Sequence, residues 1–252
     1  MVCLRFALPF LLMAATPAFG EAPWIDEITA GPFTIHSEFS LRDAQPLVSQ
    51  LGDLQTDLHE TLGLDFNDRP IHIHLFSTRW TYQRYLAARI PAAAIRQALY
   101  LPGKDAGYVY AWQQRELTTD VRHEATHALL RNALPNVPLW LDEGLAEYFE
   151  ISPAARADNQ PHRKSLQRSL RFGGRPDLAS LEAKQTLADF EGKDYRDAWA
   201  WVQFLLHGPP PAREELTEFF SDLASGDAPI PLSQRLKQRL PDLDQRFIQY
   251  HR

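Results

Sequence analysis

Two neighbouring stretches decide the fold: His123-Glu124-Ala125-Thr126-His127, and Leu139-Trp140-Leu141-Asp142-Glu143-Gly144-Leu145-Ala146-Glu147-Tyr148. On a helix, positions i and i+4 stack one turn apart on one face, so His123 and His127 can aim both imidazoles at one point. Glu124 is turned about 100° around the axis. It misses a metal held by the two histidines but reaches a water beside that metal. Zinc lowers the pKa of such a water toward about 7, and a carboxylate can take its proton as it attacks a carbonyl. These residue types at this spacing point to metal-assisted hydrolysis. Short histidine motifs also arise by chance on solvated helix faces. Here the company of Val121, Ala125, Ala128 and Leu129 makes the helix apolar and close-packing.

A catalytic zinc needs a third protein ligand and an open position. Residues 128–142 are enough chain to finish one helix, turn, and begin a second beside it, which brings Glu143 toward the first. Glu147 stands one turn further on the same face, where it can accept the second ring N–H of a ligand histidine. Gly144 and Ala146 suit a close approach of these two helices. Acids are favoured at any helix start by its dipole, so the two carboxylates acquire a metal reading only through the histidines upstream.

Working outward, residues 31–39 alternate as a half-buried strand does. Leu47, Leu51, Leu54, Leu58 and Leu62 mark an amphipathic helix over 41–62, stopped at Gly63. Residues 70–76 read as a second strand, 78–90 as a helix, and 107–112 as a short aromatic strand. The active helix runs from a cap at Thr118 or Thr119 to Leu134, and Asp142 is expected to cap the next, over 143–151. Beyond it the pattern is helical over 163–171, 178–188, 194–207, 212–224 and 232–250. Strands precede helices, which predicts an α+β fold: a small N-terminal mixed sheet with helices (residues 21–135, including the active helix) and an all-helical C-terminal part (136–252).

The chain has 252 residues, enough for a sizeable core, and a formal net charge of −6. Residues 1–20 carry Arg5, an apolar run from Phe6 to Ala15, and small residues before Gly20, as an export signal does. The run is too short to span a bilayer, so no stable membrane insertion is expected after cleavage. The lone cysteine, Cys3, falls within this segment, leaving no disulfides. That composition suits a bacterial periplasm or cell exterior. No Lys/Arg cluster stands out along the chain, which argues against nucleic-acid or anionic-membrane binding.

The two motifs together, His123-Glu124-x-x-His127 and Trp140 through Glu147, resemble the gluzincin peptidases. They most resemble the small bacterial peptidase-MA-like proteins with extracytoplasmic signals. The resemblance covers residues 118–150 and implies a zincin-like fold, one Zn2+ per chain and a peptide or protein substrate. It implies Glu143 as third ligand and Glu147 as the carboxylate partner seen in thermolysin-type members. It casts Tyr108–Trp112 as the edge strand that receives an extended substrate. Tyr195, heading an aromatic helix, becomes the candidate oxyanion stabiliser. No Gly-Ala-Met-Glu-Asn segment precedes the active helix, a departure from the aminopeptidase branch.

Other histidines attract no role. His72 and His74 share a strand face with no third ligand close in sequence, and His36, His59, His162, His207 and His251 are scattered. Two other readings compete: a catalytically silent relative serving as a binding or assembly module of the cell envelope, and an exported domain with a chance motif. An intact Glu124 favours the enzyme.

Overall fold

A computed structural model describes residues 24–90, 96–156, 160–226 and 228–252; the expected export signal lies outside the described residues. The architecture is mixed α and β: a five-stranded sheet followed by a mostly helical chain. β1 (Asp26–Ala30) and β2 (Phe33–Ser37) form an antiparallel hairpin that turns at Gly31, where φ is 58°. β3 (Ile71–Phe76) runs parallel to β2. β5 (Gly107–Trp112) runs parallel to β3 on one side and antiparallel to β4 (Ala98–Pro102) on the other, giving the order β1-β2-β3-β5-β4.

β1 and β4 have no strict apolar alternation, because each lies at a sheet edge where little burial constrains its sequence. This overturns the expectation that Tyr108–Trp112 is an edge strand. β5 is interior, and the edge is β4, which folds back against it.

Ile71, Ile73 and Leu75 of β3 are wholly buried on one face of the sheet. That face is covered by α1 (Gln45–Leu62), through Leu47, Leu51, Leu54, Leu58 and Leu62, and by α3 (Leu117–Ala133). Gly63, with φ of 70°, ends α1 and sends its N–H to His59 O. The other face is partly covered by α2 (Arg79–Ala87), whose Tyr82 and Leu86 pack on Phe76, Leu99 and Tyr110.

After α3 come α4 (Leu139–Phe149), α5 (Pro153–Arg156), α6 (Gln160–Arg171), α7 (Leu178–Glu182) and α8 (Gly192–His207). Then follow α9 (Pro210–Ala224), α10 (Leu232–Arg239) and α11 (Leu243–His251). The expected 232–250 helix is broken at Leu240-Pro241. Proline has no N–H and forces its predecessor out of the helical region, and Leu240 sits at φ −130°, ψ 82°. The expected 178–188 helix stops at Glu182, with a separate 3-10 turn at Leu187–Asp189.

Gly144 has a different task from the one its sequence suggests. A Cβ there would lie 2.8 Å from Ala198 O, so the glycine lets α4 cross α8 closely and does not serve the α3–α4 contact. Around that crossing the larger core cluster runs from the sheet through Trp140, Trp199 and Trp201 to Phe247.

Candidate metal centre

α3 and α4 pack side by side with their inner faces almost fully buried. His123 is 2% exposed and Glu143 4%. The two imidazole Nε2 atoms of His123 and His127 lie 3.2 Å apart. Glu143 completes a triangle, with Oε2 at 3.6 Å from His123 Nε2 and Oε1 at 3.9 Å from His127 Nε2. Ligands about 2.0–2.1 Å from a tetrahedral zinc are separated by about 3.3 Å, so the three groups match one metal. His123, His127 and Glu143 indeed form a group able to hold an ion.

The remaining ring nitrogens face carboxylates. His123 Nδ1 is 3.0 Å from Glu150 Oε2, and His127 Nδ1 is 3.0 Å from Asp142 Oδ2. A carboxylate at Nδ1 favours the tautomer with the proton there, leaving both Nε2 lone pairs free for a metal. Burial lowers the His127 pKa, but Asp142 and Glu143 outweigh it and hold the group above its ordinary value. Glu143 Oε2 is buried and finds no hydrogen-bond donor among the described residues. A carboxylate in that state costs several kcal/mol unless a cation compensates it. The donor set and this orphaned oxygen both fit a divalent metal.

Glu124 is half-buried, and its Oε2 accepts the backbone N–H of Tyr100 at 2.8 Å. Tyr100 lies in β4, so the candidate base and the sheet edge are joined. That N–H points away from β5, and Pro102 has no N–H to offer. The outer edge of β4 therefore presents few donors near Glu124.

The carboxylates are arranged differently from the sequence expectation. α4 begins at Leu139, with Pro138 as N-cap, so Asp142 is no cap: it sits inside the helix with its side chain on His127. Glu147 is buried and places Oε2 at 2.7 Å from His162 Nε2 on α6. It also clusters with Glu150 and His123 within 4.8 Å. Sequence reading missed Asp142, Glu150 and His162 as site neighbours. One signal was present: Glu143, Glu147 and Glu150 recur at i, i+4 and i+7, a single stripe on α4.

The neighbouring Arg122 holds this stripe in place. It is 2% exposed and donates to the carbonyl oxygens of Phe149, Glu150 and Ile151 at the end of α4, and to Gln50 O on α1. Asp57 balances its charge at 3.8 Å and pairs with Arg156.

Tyr195 lies in the first turns of α8, buried, with its ring edge-on to Phe190 at 5.4 Å. His72 and His74 lie on the far face of the sheet from α3. Parallel pairing sets His36 opposite His74, and His36 Nε2 is 3.2 Å from His72 Nδ1. Burial, then His36, His72 and Arg89, pull the His74 pKa down to about 3. Among the described residues, no group able to hold a metal includes these histidines.

No family model and no curated protein matches the chain. Among solved structures, it is similar to an M1 zinc metallopeptidase from Deinococcus radiodurans at 14% identity and a TM-score of 0.39. That match covers 90% of this chain and 50% of the other, so the chain spans about half the length of that protein.

Proposed function

We propose that this chain is a zinc-dependent hydrolase acting on peptide bonds, with His123, His127 and Glu143 as metal ligands and Glu124 as general base. The observation that carries the reading is the triangle of His123 Nε2, His127 Nε2 and the donorless, buried Glu143 carboxylate. When bound, zinc acts there as a Lewis acid that polarises a carbonyl oxygen and acidifies water toward neutral pH.

The chain's own residues do the rest. Glu150 holds the His123 imidazole in orientation and tautomer through a hydrogen bond at Nδ1, and Asp142 sets its carboxylate charge 3.0 Å from His127 Nδ1. Tyr100 N–H fixes one oxygen of Glu124 and leaves the other to accept a proton from water and pass it to the leaving amine. Peptide bonds as the target rest on the motif resemblance. The substrate shelf we assign is β4, the strand at the sheet edge beside Glu124, which would receive a substrate through its outward backbone carbonyls, since its outward N–H groups are few. Tyr195 is the proposed oxyanion stabiliser, supported by its place at the head of α8, the helix packed on α4. Glu147, paired with His162, is proposed to support the His123 side of the centre. The reading includes an export signal over residues 1–20, placing the protein outside a bacterial cytoplasm.

The test is metal analysis combined with profiling of cleaved peptides. About one equivalent of zinc, with cleavage by the wild type and none by Glu124→Gln, supports the proposal. Zinc-free protein overturns it. Bound zinc with every function intact in Glu124→Gln establishes the silent binding module instead.

A further inference from the structure

The exposed face of α6 carries a concentration of positive charge. Lys164, Arg168 and Arg171 recur at i, i+4 and i+7 and share one side of the helix, flanked by Arg163 and, past its end, Arg175. All five are exposed, while Leu166 and Leu170 turn inward and are buried. No carboxylate occurs from residue 160 to 176, in a chain whose net charge is −6. The expectation that no Lys/Arg cluster stands out is thus corrected: four cations lie within residues 163–171, and the helix aligns three of them on one side.

An apolar group stands beside them. Phe172 is 86% exposed, the most exposed large hydrophobic side chain among the described residues. It is held at the end of α6 by Phe172 N–H to Arg168 O and by Gly173, whose φ of 84° turns the chain. Phe172 follows Arg171 directly and precedes Arg175 by three residues, so this end of α6 presents one group to bury and several charges to leave at the surface.

We propose that this face docks the protein peripherally on an anionic lipid surface, with the cations on the headgroups and Phe172 entering the interface. Anionic headgroups complement a carboxylate-free cationic row, and the bilayer boundary accepts an exposed aromatic that a soluble polyanion does not require. Because the apolar side of α6 belongs to the core, binding is superficial. It is also salt-sensitive, since screened surface charges carry it.

The test uses sedimentation of the purified protein with vesicles of phosphatidylglycerol and phosphatidylcholine, against vesicles of phosphatidylcholine alone. Retention on the anionic vesicles only, lost at high salt, is expected. Replacing Lys164, Arg168 and Arg171 together by Gln weakens it on the order of 100-fold, at about fivefold per cation removed from an anionic surface. Phe172→Ser weakens it about tenfold, as loss of one buried aromatic does. Circular dichroism and metal content of each variant report intact folding. Equal retention of the triple variant overturns the proposal. So does failure to bind vesicles while retaining a soluble polyanion such as heparin, which identifies an acidic macromolecule as the partner. Loss of hydrolysis in Glu124→Gln with vesicle binding unchanged separates this face from the metal centre.

Discussion

Tyr100 donates its backbone N–H to Glu124 Oε2 at 2.8 Å, tying the sheet edge to the proposed general base. The bond uses one carboxylate oxygen, and a glutamine can accept the same bond through its amide oxygen. Glu124→Gln therefore keeps the local structure and the metal ligands while losing the proton acceptor. Hydrolysis is expected to fall by about 10²–10⁴-fold, with zinc content unchanged by atomic absorption. Loss of metal in this variant contradicts the assignment of Glu124 as a non-ligand.

Glu143 is expected to carry the protein's response to metal removal. Its Oε2 has no hydrogen-bond donor among the described residues, and in the metal-free protein its charge faces the His123 and His127 rings at 3.6 and 3.9 Å. Glu143→Gln removes that charge. Thermal melting should show wild-type protein losing stability on chelation, while the variant responds little to chelator. A strong chelator response in the variant would mean that other residues hold the ion.

Gly144 meets Ala198 across the α4–α8 crossing. A Cβ would fall 2.8 Å from Ala198 O and 2.9 Å from Ala198 C, both backbone atoms that cannot swing aside. Gly144→Ala should therefore cost about 1–3 kcal/mol by overpacking, against the usual gain of glycine-to-alanine within a helix. Urea denaturation measures the sign directly.

Arg122 satisfies carbonyls on two helices from a site that is 2% exposed. Removing it orphans those oxygens and leaves Asp57 with less compensation. Arg122→Met is expected to cost about 3–5 kcal/mol, and Arg122→Lys to recover little, because an ammonium cannot reproduce the planar fork. The same melts with metal bound test whether disturbing the end of α4 also releases Glu150 from His123.

Acid should unfold the protein through buried neutral histidines. His251 is 7% exposed and donates Nε2–H to Ala200 O, and burial pulls its pKa down to about 4. Below about 6.5 the unfolded chain binds a proton that the folded chain refuses. Stability is thus flat above that pH and declines as pH falls toward 4, by about 2 kcal/mol for this group between pH 7 and 5. His74, lowered to about 3, acts in the same direction. Denaturation curves at pH 7 and pH 5, with chelator present to remove the metal contribution, should show the loss, and His251→Gln should reduce it.

Much of the scaffold was legible because its causes are local. Leucine spacing marks α1, Gly63 stops it, and alternation marks β2, β3 and β5. Edge strands β1 and β4 escaped because a half-solvated edge places few demands on its sequence. Missing β4 led to the wrong strand being cast as the edge. The breaks after Glu182 and at Leu240-Pro241 were hidden inside continuous helical patterning, although Pro241 was visible in the chain.

At the metal centre the division follows the range of the forces. The sequence alone determined that His123 and His127 share a helix face and that Glu143 and Glu147 stand one turn apart on the next helix, since helical periodicity needs only neighbours along the chain. Only the tertiary structure decided that Asp142 faces His127, that Glu150 faces His123, that Glu147 meets His162, and that Glu124 meets the edge strand. Those pairings depend on how α3, α4, α6 and β4 cross one another. Contacts such as Gly144 against Ala198 and Arg122 against the end of α4 set those crossings, between residues whose separation in sequence leaves no local trace.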